Sequence, residues 1–141
     1  MGEGVKLSVK AEQSSRVETL LTILYFFSEH GKEEVSLGEV QESVSKLQKE
    51  FPLGYEFFET FLCSFDLFTD LDKLSGEGYI RRYTYSHDTL IPKNFIRLMP
   101  TGSWSAKRIV RGLPPDMIEA INRSVVSAIS NYKKRWGSWA R

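Results

Sequence analysis

The chain has 141 residues, 41% hydrophobic and 26% charged, with a formal net charge of +1. That size and balance suit one globular domain with a real core, and the single cysteine, Cys63, excludes an internal disulfide and a cysteine metal cluster. No stretch approaches the roughly 20 apolar residues of a membrane span, and a cytoplasmic protein is expected.

The small net charge hides a division. Residues 1–78 hold 7 Lys+Arg against 15 Asp+Glu, and residues 79–141 hold 12 against 3, so a −8 half precedes a +9 half. Such asymmetry points either to a polyanion-binding surface on the second half or to mutual neutralisation inside one fold.

In chain order, Val5, Leu7 and Val9 alternate with polar residues, which suits a short strand or a loosely ordered tail over residues 1–13. Ser15 and Glu18 have the spacing of a capping box for a helix over Arg16–His30 that stops at Gly31. Its apolar residues, Val17 to Phe27, wrap most of the circumference, which places it centrally in the core. Lys32–Val35 reads as a charged connection. Ser36 and Glu39 form a second capping box, followed by Val40, Val44, Leu47 and Phe51 at helical spacing and terminated by Pro52 and Gly54. Glu39, Glu42, Lys46, Lys49 and Glu50 form its expected solvated face. Tyr55–Cys63 gathers Phe57, Phe58, Phe61 and Leu62, whose density suggests burial.

Ser64–Ser75 then reads as a helix, with Leu67, Leu71 and Leu74 on one face. Gly76 and Gly78 are its expected stop. Tyr79–Ser86 reads as a strand, His87-Asp88 as a turn, and Thr89–Met99 as a returning strand. Ser103 is the expected cap of a short helix through Arg111, with Trp104 and Ile109 as its apolar residues. Pro114-Pro115-Asp116 opens the last helix. Its seam of Ile118, Ile121, Val125, Ile129, Tyr132 and Trp136 suits packing within the domain or, the favoured expectation, a dimer interface.

This order of elements resembles the winged-helix superfamily. Members often show Leu-x-x-Leu-x-x-x-Gly-[Tyr/Leu]-Ile where the third helix meets the first wing strand. Here the residues are Leu71-Asp-Lys-Leu74-Ser-Gly-Glu-Gly78-Tyr79-Ile80. Leu98-Met-Pro100-Thr-Gly102 echoes the Leu-Thr-Pro-x-Gly that often closes the wing. The resemblance spans Arg16–Ile109. Small prokaryotic winged-helix proteins, including the Panacea-like antitoxin domains, are similar in layout, but their Gly-Pro-Tyr is absent at Phe61–Ser64, so no narrower family is assigned.

The resemblance implies an α+β, mainly helical fold: a winged helix with a two- or three-stranded hairpin wing and additional C-terminal helices. The expected division is 1–13, 14–99 for the winged-helix core and 100–141 for the C-terminal helices and a dimerisation extension. It also implies DNA binding, with the third helix in the major groove and the wing on the backbone or minor groove. The third helix, however, carries Asp66, Asp70 and Asp72 against only Lys73, and carboxylates repel phosphates. The basic wing residues Arg81, Arg82, Lys93 and Arg97, interleaved with Tyr83 and Tyr85, are better candidates, extended by Lys107, Arg108 and Arg111. Strand alternation puts Arg81 and Tyr83 on one face and Arg82 and Thr84 on the other.

Two functions follow as expectations. One is a homodimeric DNA-binding transcriptional regulator that contacts phosphates through the wing and the C-terminal helices. The other is a protein-interaction module that uses the acidic third helix. An enzyme is not expected. His30 sits at a helix end, His87-Asp88 lacks a nucleophile partner, and Cys63 lies among apolar residues. No phosphate loop, dinucleotide fingerprint or metal-ligand spacing occurs, so neither cofactor nor metal is expected. Trp104, Trp136 and Trp139 suit base stacking, but core anchoring is the expected use of Trp104 and Trp136.

Overall fold

The computed structural model describes residues 2–57, 64–85 and 93–136, with side chains other than those of residues 2–15, 85, 93, 135 and 136. No helix in it is long and apolar enough to cross a membrane.

The first helix, α1 (Gly2–Glu29), runs through residues 2–13, where a tail or strand was expected, and through the expected cap at Ser15. No proline interrupts this stretch, and extending a helix nucleated over Arg16–Glu29 costs far less than starting one. Leu20, Leu21, Ile23, Leu24 and Phe27 are all buried, together with Thr19 and Thr22. This helix is the centre of the core, as its apolar girdle predicts. The chain leaves it at Gly31 with φ +84°, a left-handed conformation that glycine adopts without strain.

The expected charged connection contains a strand, β1 (Glu34–Ser36). Ser36 then caps α2 (Leu37–Leu47) with a complete capping box: its Oγ accepts the Glu39 N–H at 3.1 Å, and Glu39 Oε1 accepts the Ser36 N–H at 3.2 Å. That reciprocity draws Glu39 inward, to 1% exposure, so it does not belong to the solvated face. Lys32 Nζ lies 3.5 Å from its second oxygen. The helix ends at Leu47, earlier than the stripe to Phe51 suggested. Gln48 brackets the backbone of Tyr55, donating to its carbonyl at 2.8 Å and accepting its N–H at 3.2 Å, which fixes the following loop. Tyr55 is buried and Phe57 packs partly against the core. Phe58, Phe61, Leu62 and Cys63 lie outside the described residues.

The third helix, α3 (Phe65–Gly76), is capped by Ser64 and buries Leu67, Leu71 and Leu74 as expected. Of the two glycines behind it, Gly78 alone takes a positive φ, +81°; Gly76 is the last helical residue. Strands β2 (Ile80–Tyr85) and β3 (Lys93–Leu98) pair antiparallel, and β1 pairs with the other side of β3. The sheet order is β1-β3-β2. The expected His87-Asp88 turn lies outside the described residues.

Helix α4 (Pro100–Arg111) starts three residues before the expected Ser103, with Met99 at the N-cap position. Proline fits the first helical turn, where its missing N–H costs nothing. Thr101 Oγ1 donates to Gly78 O at 2.9 Å, and the Met99 N–H donates to Tyr79 O at 2.9 Å.

Helix α5 (Pro115–Trp136) lies mainly on α2 and also on α1. Ile121 and Val125 are fully buried within the chain, and Ile129 packs partly against the same core. At Ile121 and Val125, and partly at Ile129, the expected seam is therefore covered by the protein's own helices. Ile118 and Tyr132 are half-buried, and the side chain of Trp136 lies outside the described residues. Polar contacts follow the same line. Ser124 meets Ser43 at 2.9 Å, Asn131 donates to Glu42 at 2.7 Å, Arg123 reaches Glu50 at 3.0 Å, and His30 meets Asn122 at 2.7 Å. The result is a mainly helical fold with a small three-stranded antiparallel sheet.

Candidate nucleic-acid interface

Antiparallel pairing places directly opposed residues on the same face. Ile80 faces Leu98, Arg82 faces Ile96, and Thr84 faces Asn94. Ile80 and Ile96 are buried, so this is the core side. Arg81 faces Arg97, and Tyr83 faces Phe95, on the outer side. The register continues to β1, where Glu34 stands opposite Arg97. One row across the sheet thus reads Glu34, Arg97, Arg81.

Two like charges directly opposed destabilise a sheet by a few tenths of a kcal/mol. Arg97 has partial compensation, because Glu33 lies 4.0 Å away and Glu34 is its other neighbour. Arg81, on the edge strand, makes no ion pair among the described residues. Arg82 sits on the opposite side and forms an ion pair with Asp72 of α3. The expected basic wing is therefore split: Arg81 and Arg97 come together, and Arg82 is committed to α3. Lys93 begins β3, but its side chain lies outside the described residues.

The outer face opens on a cleft of about 420 Å³ lined by Ser28, Arg81, Tyr83, Arg97, Pro100 and Ser103. Because α4 follows β3 after only Met99, its first turn forms one wall. Lys107 lies one turn beyond Ser103 on the same side of the helix. Trp104, Lys107, Arg108 and Arg111 all project within an arc of about 100°. All four are exposed, Trp104 to 62%, and α4 contains no Asp or Glu. The Arg108 guanidinium lies 4.9 Å from the centroid of the Trp104 ring. Trp104 is thus no core anchor. The inward side of α4 carries Gly102 and Ala106, both buried, and Ile109, which packs partly against the core; the two small residues let the first turns lie close to their neighbours. The pairing of Trp104 with Arg108 was legible as an i, i+4 aromatic–cation spacing.

The acidity of α3 is distributed unevenly. Asp70 is buried; its Oδ2 accepts from Arg16 Nε at 2.9 Å and from the Tyr55 hydroxyl at 2.6 Å. The Arg16 guanidinium also lies 4.7 Å from the centroid of the Tyr55 ring. Burial, reinforced by the bond to Asp70, pushes the Tyr55 hydroxyl pKa well above the ordinary tyrosine value. Asp72 is exposed and held by Arg82, and Asp66 is exposed. Of three carboxylates, one is spent inside the fold and one is paired. Phe65 stands at the start of this helix, 68% exposed.

A second cleft, of about 440 Å³, lies on the other flank of α4, lined by Val17, Glu18, Lys73, Glu77, Tyr79 and Arg108. Its charges are mixed. Among the described residues no three His, Cys, Asp or Glu side chains gather as a metal site. Comparison with family models, curated proteins and solved structures gave no significant match.

Proposed function

We propose that this chain is a winged-helix nucleic-acid-binding protein, a cytoplasmic DNA-binding regulator of transcription, that grips phosphates with the outer face of its hairpin and with α4. The element order α1-β1-α2-α3-β2-β3 and the sheet order β1-β3-β2 support the winged-helix reading. The observation that carries the function is the opposed Arg81–Arg97 pair, open to a cleft that leads onto an acid-free helix bearing Lys107, Arg108 and Arg111. A phosphate between two guanidiniums relieves their repulsion and accepts charge-assisted hydrogen bonds from both. In this reading α3 does not read bases, since Asp72 holds Arg82 and Asp66 repels phosphate.

The test is fluorescence anisotropy with a random-sequence duplex over a salt series. Micromolar affinity that falls steeply with salt is expected, and the double variant Arg81→Glu/Arg97→Glu should abolish it. Absence of binding at low salt would overturn the reading. Phe65, exposed beside Asp66 at the start of α3, favours a second reading as a protein-interaction module. Capture of one stoichiometric protein partner, lost in Phe65→Ser and free of nucleic acid, would establish that alternative.

A further inference from the structure

We infer that Trp104, with Arg108 stacked on its ring, is a platform for unpaired bases, so that the basic surface prefers single-stranded nucleic acid to duplex. The inference rests on the proposed nucleic-acid binding and names its substrate class. A tryptophan at 62% exposure in the middle of an otherwise cationic helix face is not explained by the core, which α4 meets through Gly102, Ala106 and Ile109. The composition of that face is specific: one large aromatic ring, three cations within two turns of it, and no acid on the helix.

Surfaces for single strands combine these two ingredients. Cations follow the phosphates, and aromatic rings stack on bases without regard to sequence. A duplex keeps the faces of its bases hidden in the stack, so it engages the cations and leaves the indole unused. A single strand uses both. Trp104 and Arg111 are about 10 Å apart along the helix axis, enough for a base on the ring and following phosphates on the cations. Ser103 lines the Arg81–Arg97 cleft, and Lys107 follows it by one helical turn, so the same strand would continue onto the outer face of the sheet. Arg108 places a second planar group over the ring, 4.9 Å from its centroid, so a cation and an aromatic face are offered together.

The experiment compares oligothymidylate, oligouridylate and a duplex of equal length, titrated into the full chain and into Trp104→Ala, Trp104→Phe and Lys107→Glu/Arg111→Glu. The single strands should bind about tenfold tighter than duplex, and Trp104→Ala should remove that difference while leaving duplex affinity unchanged. Trp104→Phe should retain most of it. Lys107→Glu/Arg111→Glu should weaken every ligand and lower the salt slope by about one per lost phosphate contact. A gap between the thymidylate and uridylate affinities would assign the preferred strand as DNA or RNA within the same inference. Because Trp104 is exposed, its variants should keep the parent melting temperature. Duplex binding equal to or tighter than single-strand binding, unaffected by Trp104→Ala, would overturn this inference and leave the proposed function standing. Failure of all three nucleic acids to bind would overturn both, as would Trp104-dependent binding to phosphatidylserine vesicles alone.

Discussion

The hydroxyl of Tyr55 donates to Asp70 Oδ2 at 2.6 Å, the same oxygen that accepts Arg16 Nε at 2.9 Å. Three segments far apart in sequence, the N-terminal helix, the loop after α2 and α3, thereby meet at one carboxylate. Removing the hydroxyl in Tyr55→Phe leaves Asp70 with its cation and should cost about 1 kcal/mol. Asp70→Ala strands the Arg16 guanidinium and the Tyr55 hydroxyl together and should cost about 3 kcal/mol. Urea denaturation of the two variants would show both the losses and their order.

The same bond sets an alkaline limit. In the unfolded chain Tyr55 ionises near its ordinary value of 10.0, whereas burial and Asp70 raise the folded value. Between those values the unfolded state releases a proton that the folded state keeps. The contribution is therefore complete below pH 10.0 and is lost progressively as pH rises above it. Tyr55→Phe should flatten the decline in melting temperature above that pH. A residual decline should persist, because Tyr25 and Tyr132 are also raised, chiefly by burial. Thermal melts of the parent and Tyr55→Phe across the alkaline range provide the comparison.

Gly102 sits where the first turn of α4 crosses the start of β2. A Cβ there would strike Tyr79 O and approach Leu98 Cδ1 to 2.8 Å. Backbone cannot yield as a flexible side chain can, so Gly102→Ala should cost about 2–3 kcal/mol despite alanine's higher helix propensity. Gly76→Ala, with open space around its Cβ position, should be neutral or mildly stabilising. Paired melting temperatures check the contrast.

Ile121 and Val125 are enclosed by the chain's own α1 and α2. Ile121→Ala should cost about 3 kcal/mol, through lost burial and the cavity it leaves. Sedimentation of the folded variant should give the oligomeric state of the parent. A shift from dimer to monomer without loss of stability would return the seam to a partner-facing role.

Arg81 and Arg82 are neighbours in sequence with opposite surroundings. If the proposed function holds, Arg81→Glu should weaken duplex binding about tenfold or more, since it replaces a proposed phosphate contact with repulsion. Arg82→Glu should have a smaller direct effect, because Arg82 is engaged with Asp72. Titrations of the single variants at one fixed salt concentration separate the two.

What the sequence disclosed follows the range over which each interaction acts. The start of α2 was legible because Ser36 and Glu39 satisfy each other within one turn. The leucine stripe of α3 needed only helical periodicity. The strand β1 was not legible, since three residues carry no usable period and their partner is β3, far along the chain. Neither was the burial of Asp70, whose cation lies 54 residues away. The charge division marked the basic half, but not the separation of Arg81 on the outer face from Arg82 paired with Asp72, because strand alternation gives the faces without saying which is covered. The seam of α5 left two occupants open, and Ile121 and Val125 pack within the chain: periodicity records that a face is buried, not by what. Trp104 was misread because large aromatics are usually enclosed, and only the small residues on the other side of α4 reveal which way it faces.

The peptide groups at Gly78 and Tyr79 receive Thr101 and Met99, and the backbone at Gly102 rests against the second of them. In mechanical terms this is a pinned joint rather than a flexible link. The hairpin and α4 therefore share one anchoring point, and Arg81 and Arg97 on the one are held at a fixed setting relative to Trp104 and Arg111 on the other. Two groups of basic residues that look independent along the chain are thus mounted on one rigid bracket.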